Sequence, residues 1–295
     1  MRVFLTSPWI PEEWIRAHGL EPRGIWSAEE FRRGALPLSA GLCAFAEAAV
    51  RFAGAQTDSA VIFTTSCDQL RRGFDAATLH GQRRAFLFNL PATQTPVAKQ
   101  IYRADLERLG QFLLELGGSA PRPEILRREM LQADEARRRL HEAAPVPAEN
   151  QVPLALVGGP LSAVDRNLFN AIATAGGCVA LNATESGERS LCPAFDLNAC
   201  GDPFDALVTG YFENIVDVFQ RPNTRLYSWL KPRLLSRRAR GIVLWHFTGC
   251  DLWRAEAQTL REVFNLPVLL LEADETAGIS PRDVNRLQAF VETLK

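Results

Sequence analysis

Residues 241–294, GIVLWHFTGCDLWRAEAQTLREVFNLPVLLLEADETAGISPRDVNRLQAFVETL, decide the fold class. Ile242–Phe247 is an unbroken apolar run of strand length. It stops at Thr248-Gly249-Cys250-Asp251, after which Trp253, Ala257, Leu260 and Phe264 recur at helical spacing. Leu266–Leu271 is a second apolar run. Ser280-Pro281-Arg282-Asp283 then opens a last helix, with Ser as N-cap, Pro at the first helical position and an acid at the third. This βαβα pattern predicts a parallel sheet. Ligands of such sheets sit at the carboxyl ends of the strands. Cys250, at the turn from strand to helix, therefore stands where chemistry can be done.

The same alternation appears at the other end of the chain. Arg2–Thr6 is a short predicted strand and Pro11–His18 a short helix ended by Gly19. Leu38–Phe52 is expected to be a helix with Cys43 in its first turn. Ser59–Thr64 is a buried strand broken at Thr65-Ser66-Cys67-Asp68, with a helix from there to about Leu79 and another strand at Arg84–Leu90. From Thr95 to Glu142 the chain is rich in Arg, Glu and Leu and predicts two helices, with a break at Gly117-Gly118. Their charges form a solvated face or a partner-docking surface. Ala143–Pro153 is the linker candidate. Beyond it come a strand at Pro153–Val157, the turn Gly158-Gly159-Pro160, and a helix from Ser162 with Asp165 as its capping acid. Gly177–Leu181 is the next strand, Asn182–Asp202 is irregular, and Pro203–Arg240 is mostly helical with a break near Arg221-Pro222-Asn223. The expectation is an α/β protein of two Rossmann- or flavodoxin-like lobes with short parallel sheets and a cleft between them. Residues 1–145 form the first lobe, including a helical segment at about 95–142, and residues 146–295 the second.

Composition narrows the function classes. A net charge of −1 points neither to nucleic acid nor to an acidic partner surface. No apolar run approaches the roughly 20 residues of a membrane helix. The opening MRVFLTSPWIPEEW lacks a charged segment followed by a long apolar core, so a signal peptide is not expected. Six cysteines without a secretory signal point to the reducing cytoplasm rather than to a disulfide framework.

Cys43, Cys67 and Cys250 share one context, at or just before a predicted helix N-terminus. Backbone N–H groups and the helix dipole favour anions there, including thiolates and anionic clusters. If both lobes point their strand ends into one cleft, the three thiols converge. Three thiolates on a four-iron cluster would leave one iron open to water or substrate. Their spacing, with no CxxC, does not by itself support a cluster: it suits three apolar core cysteines better, with a nucleophilic or redox thiol as the remaining alternative. Cys178, inside a strand, is expected in the core. Cys192 and Cys200 bracket a loop that could hold a second metal. His246, four residues before Cys250, is either a proton donor near the site or a core histidine. Gly158-Gly159-Pro160 lacks the GKS or GKT ending of a phosphate loop, which speaks against ATP binding by this chain.

PWIPEEWIRAHGL at 8–20 resembles the opening segment of the 2-hydroxyacyl-CoA dehydratase and benzoyl-CoA reductase family. Leu42-Cys43, Thr64–Asp68, the Gly158-Gly159-Pro160 turn, PNTRLYSWL at 222–230, Phe247–Asp251 and Glu272–Glu292 follow in that family's order. The resemblance implies a subunit of two α/β lobes holding one [4Fe-4S] cluster through Cys43, Cys67 and Cys250. It also implies a homologous second subunit, in a homo- or heterodimer, and a separate ATP-hydrolysing iron–sulfur activator that delivers low-potential electrons. The reaction would be dehydration of a 2-hydroxyacyl-CoA or reduction of an aromatic acyl-CoA. Family members commonly carry a further N-terminal helical segment, whereas here the first motif begins within ten residues of Met1. Pro8 stands where the family has a serine, with Ser7 adjacent, and Asn285 where it has a threonine. Ser7 and Glu13 are the candidates close to the cluster. The departures open a second reading, a non-catalytic electron-relay or scaffold subunit paired with a catalytic homologue. The third reading is a metal-free α/β protein.

Overall fold

The computed structural model describes residues 1–29, 31, 41–142, 147–198, 201–273 and 278–295. Two four-stranded parallel sheets organise the chain. The first lobe runs β1 (Arg2–Leu5), α1 (Glu12–Ala17), β2 (Glu21–Gly24), α2 (Ala44–Ala55), β3 (Ala60–Thr64), α3 (Asp68–Leu79) and β4 (Ala85–Phe88). Two long helices follow, α4 (Pro96–Glu115) and α5 (Pro123–Glu142). The second lobe runs β5 (Val152–Gly158), α6 (Asn167–Thr174), β6 (Gly177–Thr184), α7 (Pro203–Phe212), α8 (Thr224–Ser236), β7 (Gly241–Phe247), α9 (Asp251–Phe264), β8 (Val268–Ala273) and α10 (Pro281–Thr293). The expected lobe boundary at 145/146 lies outside the described residues.

Both sheets carry one spatial order: β2-β1-β3-β4 in the first and β6-β5-β7-β8 in the second. Each reverses direction between its first and third strands, which opens a crevice at their carboxyl ends. The expected α/β lobes are therefore present, as two copies of one topology. The central strands read as continuous apolar runs because both faces are covered: Ala60–Thr64 and Gly241–Phe247 are buried throughout.

Strand β2, EPRG, was not expected. It pairs only with β1, and an edge position tolerates Pro22 and leaves Glu21 and Arg23 to solvent. The helix expected from Leu38 begins among the described residues at Ala44, with Cys43 as its N-cap rather than inside its first turn. Ser162 and Asp165 do bond to each other, yet the α-helix starts five residues after Ser162, behind a short 3₁₀ turn. Ser280 caps α10 as expected, its Oγ accepting from Asp283 N at 3.1 Å.

Helices α4 and α5 pack on the first lobe and tie it to the second. Leu106, Leu109, Leu113, Leu126 and Met130 are buried in one core with Ile15 of α1 and Leu207 and Phe212 of α7. Lys99 meets Glu213 at 2.8 Å and Arg103 pairs with Asp205, so part of the charged face binds within the chain. No described helix is long and apolar enough to cross a membrane.

Candidate metal centre

Cys43, Cys67 and Cys250 are the N-caps of α2, α3 and α9. Cys67 follows β3 and Cys250 follows β7, the third strands of their sheets, so the repeated topology places them at equivalent switch points. Cys43 Sγ accepts from Ala46 N and Cys67 Sγ from Leu70 N, both at 3.5 Å. Two contacts hold the three turns together. Cys43 N donates to Gln69 Oε1 at 2.8 Å, which ties it to the start of α3. Ala44 N donates to Thr248 O at 2.9 Å, which ties the first lobe to the turn carrying Cys250. Beneath them Phe45 packs on Phe247 with ring centroids 5.3 Å apart.

All three cysteines line one cavity, partly open to solvent. Its other walls also come from strand ends: Thr6 after β1, Ser66 after β3, Gly159 and Pro160 after β5, and Glu185 after β6. Phe45, Leu70, Phe219, Phe247, Leu252 and Trp253 make it mostly apolar.

Helix N-termini were expected to favour thiolates here. Burial outweighs them: it pushes Cys43 up, Cys67 to about 11 and Cys250 to about 12, despite the backbone N–H groups aimed at each sulfur. Without metal the thiols are protonated at neutral pH. Binding a metal must release those protons.

Gly249 lets the two lobes meet. Its φ is +79°, and a Cβ there would stand 3.2 Å from Cys43 Cα. Gly249→Ala is expected to cost about 1–2 kcal/mol in backbone strain and to push the Cys43 and Cys250 turns apart. A denaturant midpoint equal to wild type would rule this out.

Two carboxylates face the cavity. Asp217 is paired with Arg189, which is fully buried and donates to Ala183 O (3.0 Å), Val216 O (3.1 Å) and Gly158 O (2.8 Å) while stacking over Trp253 at 4.9 Å. Glu185 has no hydrogen bond or ion pair among the described residues. Burial and the neighbouring Asp217 carboxylate push it up to about 8, against the pull of Arg189. Sequence reasoning passed over Glu185, Arg189 and Asp217: the strand was expected to end at Leu181, and only its extension to Thr184 sets Glu185 at a strand end.

The other sequence candidates lie elsewhere. Ser7 is buried, accepts from Trp9 N at 3.3 Å and is not among the cavity's lining residues. Glu13 is a buried strut: its carboxylate accepts from Arg137 of α5 and from Tyr211 OH of α7, both at 2.7 Å. His246 is buried in β7, with Nδ1 3.0 Å from Phe247 O and Nε2 unpartnered, and it too is absent from the lining. Cys178, expected in the core, is half-buried, since it stands near the start of edge strand β6. Cys192 is a core thiol donating to Gly210 O at 3.0 Å. Cys200 lies outside the described residues. Among the described residues, no three His, Cys, Asp or Glu side chains close around a point that would hold a single metal ion.

No curated protein matches the chain. Among solved structures, the SBP FpvC of Pseudomonas aeruginosa in complex with Mn2+ is 12% identical, with 100% of this chain and 98% of that one covered, at a TM-score of 0.28. The SBP FpvC of that organism in complex with a Ni2+ ion is 10% identical, with 99% and 93% covered, at 0.23. Scores this low carry no inference about fold or function. The family 2-hydroxyglutaryl-CoA dehydratase, D-component, matches residues 9–156 and 146–294, which take in both lobes and all three cavity cysteines, and the chain belongs to that family.

Proposed function

We propose that this chain is the cluster-bearing subunit of a dehydratase-type enzyme acting on an acyl-CoA, with Cys43, Cys67 and Cys250 as ligands of one [4Fe-4S] cluster. One observation carries the reading: three N-capping cysteines from two lobes line a single cavity at the carboxyl ends of both sheets. The donor set fits. Thiolates are the ligands iron–sulfur clusters use, and a cluster of several irons spreads its ligands wider than a single ion does. When bound, such a cluster supplies one-electron transfer at low potential and Lewis acidity at any iron left without a protein ligand.

The chain's own residues supply the rest. The three thiols give up their protons on loading, and the Gln69 and Thr248 contacts fix the turns that carry them. The apolar wall excludes water, which strengthens electrostatic interactions inside. Arg189 holds Asp217 and the Gly158 turn in place. In this reading the electrons come from an ATP-hydrolysing iron–sulfur activator, and a homologous subunit completes the enzyme, in the cytoplasm. The lobes are residues 1–145 and 146–295. Whether the acyl group is dehydrated or an aromatic ring is reduced depends on what fills the cavity beside the cluster.

The relay reading has an observation of its own. Among the described residues the cavity presents two carboxylates and no Arg, Lys or His, and none of Ser7, Glu13 and His246 lines it. Anaerobic purification with iron and acid-labile sulfide counted per chain tests the cluster. About four of each are expected, with a brown visible spectrum. A colourless, iron-free protein after anaerobic reconstitution would sink it. Acyl-CoA binding by the isolated, loaded chain then separates catalysis from relay.

A further inference from the structure

We infer that the outer face of α5 is where a second copy of this chain docks, the two α5 helices lying antiparallel across a two-fold axis at Leu131. The inference rests on the proposed second subunit only in taking that subunit to be another copy of this chain.

The inner side of α5 is spent within the chain. Leu126 and Met130 are buried in the core, and Arg137 pairs with Glu13 and Asp134. The outer side presents Leu131 to solvent, flanked by exposed Glu124, Arg127, Arg128 and Arg138 and by half-buried Glu135. These positions fall three, four or seven residues from Leu131, which places them in one stripe along the helix. Leu131 stands between two surface grooves, one running towards Glu124 and Gln132, the other floored by Cys192, Pro193 and Ala194. A single exposed leucine is ordinary. The order of the charges around it is what selects the partner.

A two-fold axis at Leu131 brings the leucine against its copy and reverses the helix around it. Glu124 then meets Arg138 and Arg127 meets Glu135, each contact occurring twice. Other pairings fail on the same charges. Parallel helices would set every charge against its own copy, and moving the axis to Ala133 would set Arg128 against Arg138. Within the chain Glu135 pairs with Arg138 and accepts from Arg139 Nε at 2.9 Å. The copy's Glu124 and Arg127 extend that cluster into a network, the arrangement in which surface ion pairs contribute most. The paired leucines and the grooves beside them supply the apolar centre that such a rim encloses.

Sedimentation equilibrium of the full chain tests this. Wild type is expected at a mass near twice 32.7 kDa. Glu124→Arg and Arg138→Glu should each raise the dimer dissociation constant about tenfold or more, since each sets two like-charged pairs across the interface. Combining the two should bring it back to within about threefold of wild type, because the swap restores both pairs. Leu131→Glu should give a monomer whose Tm matches that of wild type monomer at high dilution, the position being on the surface. A monomeric wild type, a double variant no tighter than either single one, or a Leu131→Glu dimer as tight as wild type overturns the assignment. Iron per chain is read separately on the same samples: an iron-free dimer overturns the cluster and leaves this surface, and a loaded monomer does the reverse.

Discussion

Changing Cys43, Cys67 or Cys250 singly to Ser is expected to take iron from about four per chain to well under one. Two thiolates are too few to hold a four-iron cluster, and loss of Cys250 leaves the second lobe with no thiolate at all. A serine oxygen is a poor replacement. It is harder than sulfur, and its proton is far more difficult to remove in a cavity that already pushes the native thiols to about 11 and 12. The fold should survive each change, since Cys250 makes no side-chain capping bond and the other two make weak ones at 3.5 Å. Cys178→Ser is the control. Its half-buried place on edge strand β6 is remote from the lining, and full iron is expected. Cys192→Ser should also load fully. Iron counts and the visible spectrum decide it: full loading of Cys43→Ser, or loss confined to Cys178→Ser, would overturn the ligand assignment.

Arg189→Ala is expected to destabilise the protein by about 3–5 kcal/mol, the range for removing one partner of a buried ion pair. The side chain is fully enclosed, and its loss strands the Asp217 carboxylate together with the carbonyls of Gly158, Ala183 and Val216. It also removes the cation stacked over Trp253. At this chain length the change corresponds to a Tm lower by roughly 10 °C. Arg189→Lys should recover only part, because an ammonium cannot reach every acceptor that the guanidinium fork serves. Adding Asp217→Asn to Arg189→Ala should recover part by a different route, since it removes the stranded charge. Thermal and denaturant unfolding measure all three. A single variant within about 1 kcal/mol of wild type would show that water satisfies these groups.

How much of this was legible in the sequence follows from range. Apolar runs such as Ile242–Phe247, the cap at Ser280 and the placing of Cys67 and Cys250 between strand and helix are local patterns. They determined the α/β class, the parallel sheets and the three cysteines as a set. The polar edge strand β2 escaped because pairing on one side asks for no apolar alternation. Cys178 looked like core because a strand's sequence does not say whether the strand is central or at an edge. The site's remaining parts depend on contacts between residues far apart in the chain. Glu13 was drawn to the cysteines by its motif, yet Tyr211, 198 residues later, and Arg137 hold it as a strut. Glu185 lies in a stretch expected to be irregular and Asp217 in one expected to be mostly helical; the folded chain sets both in one cavity, where Arg189 pairs with Asp217. The direction of the thiol shifts was decided last. Helix N-termini can be read from a sequence and favour thiolates. Desolvation is a property of the assembled cavity, and here it is the larger effect.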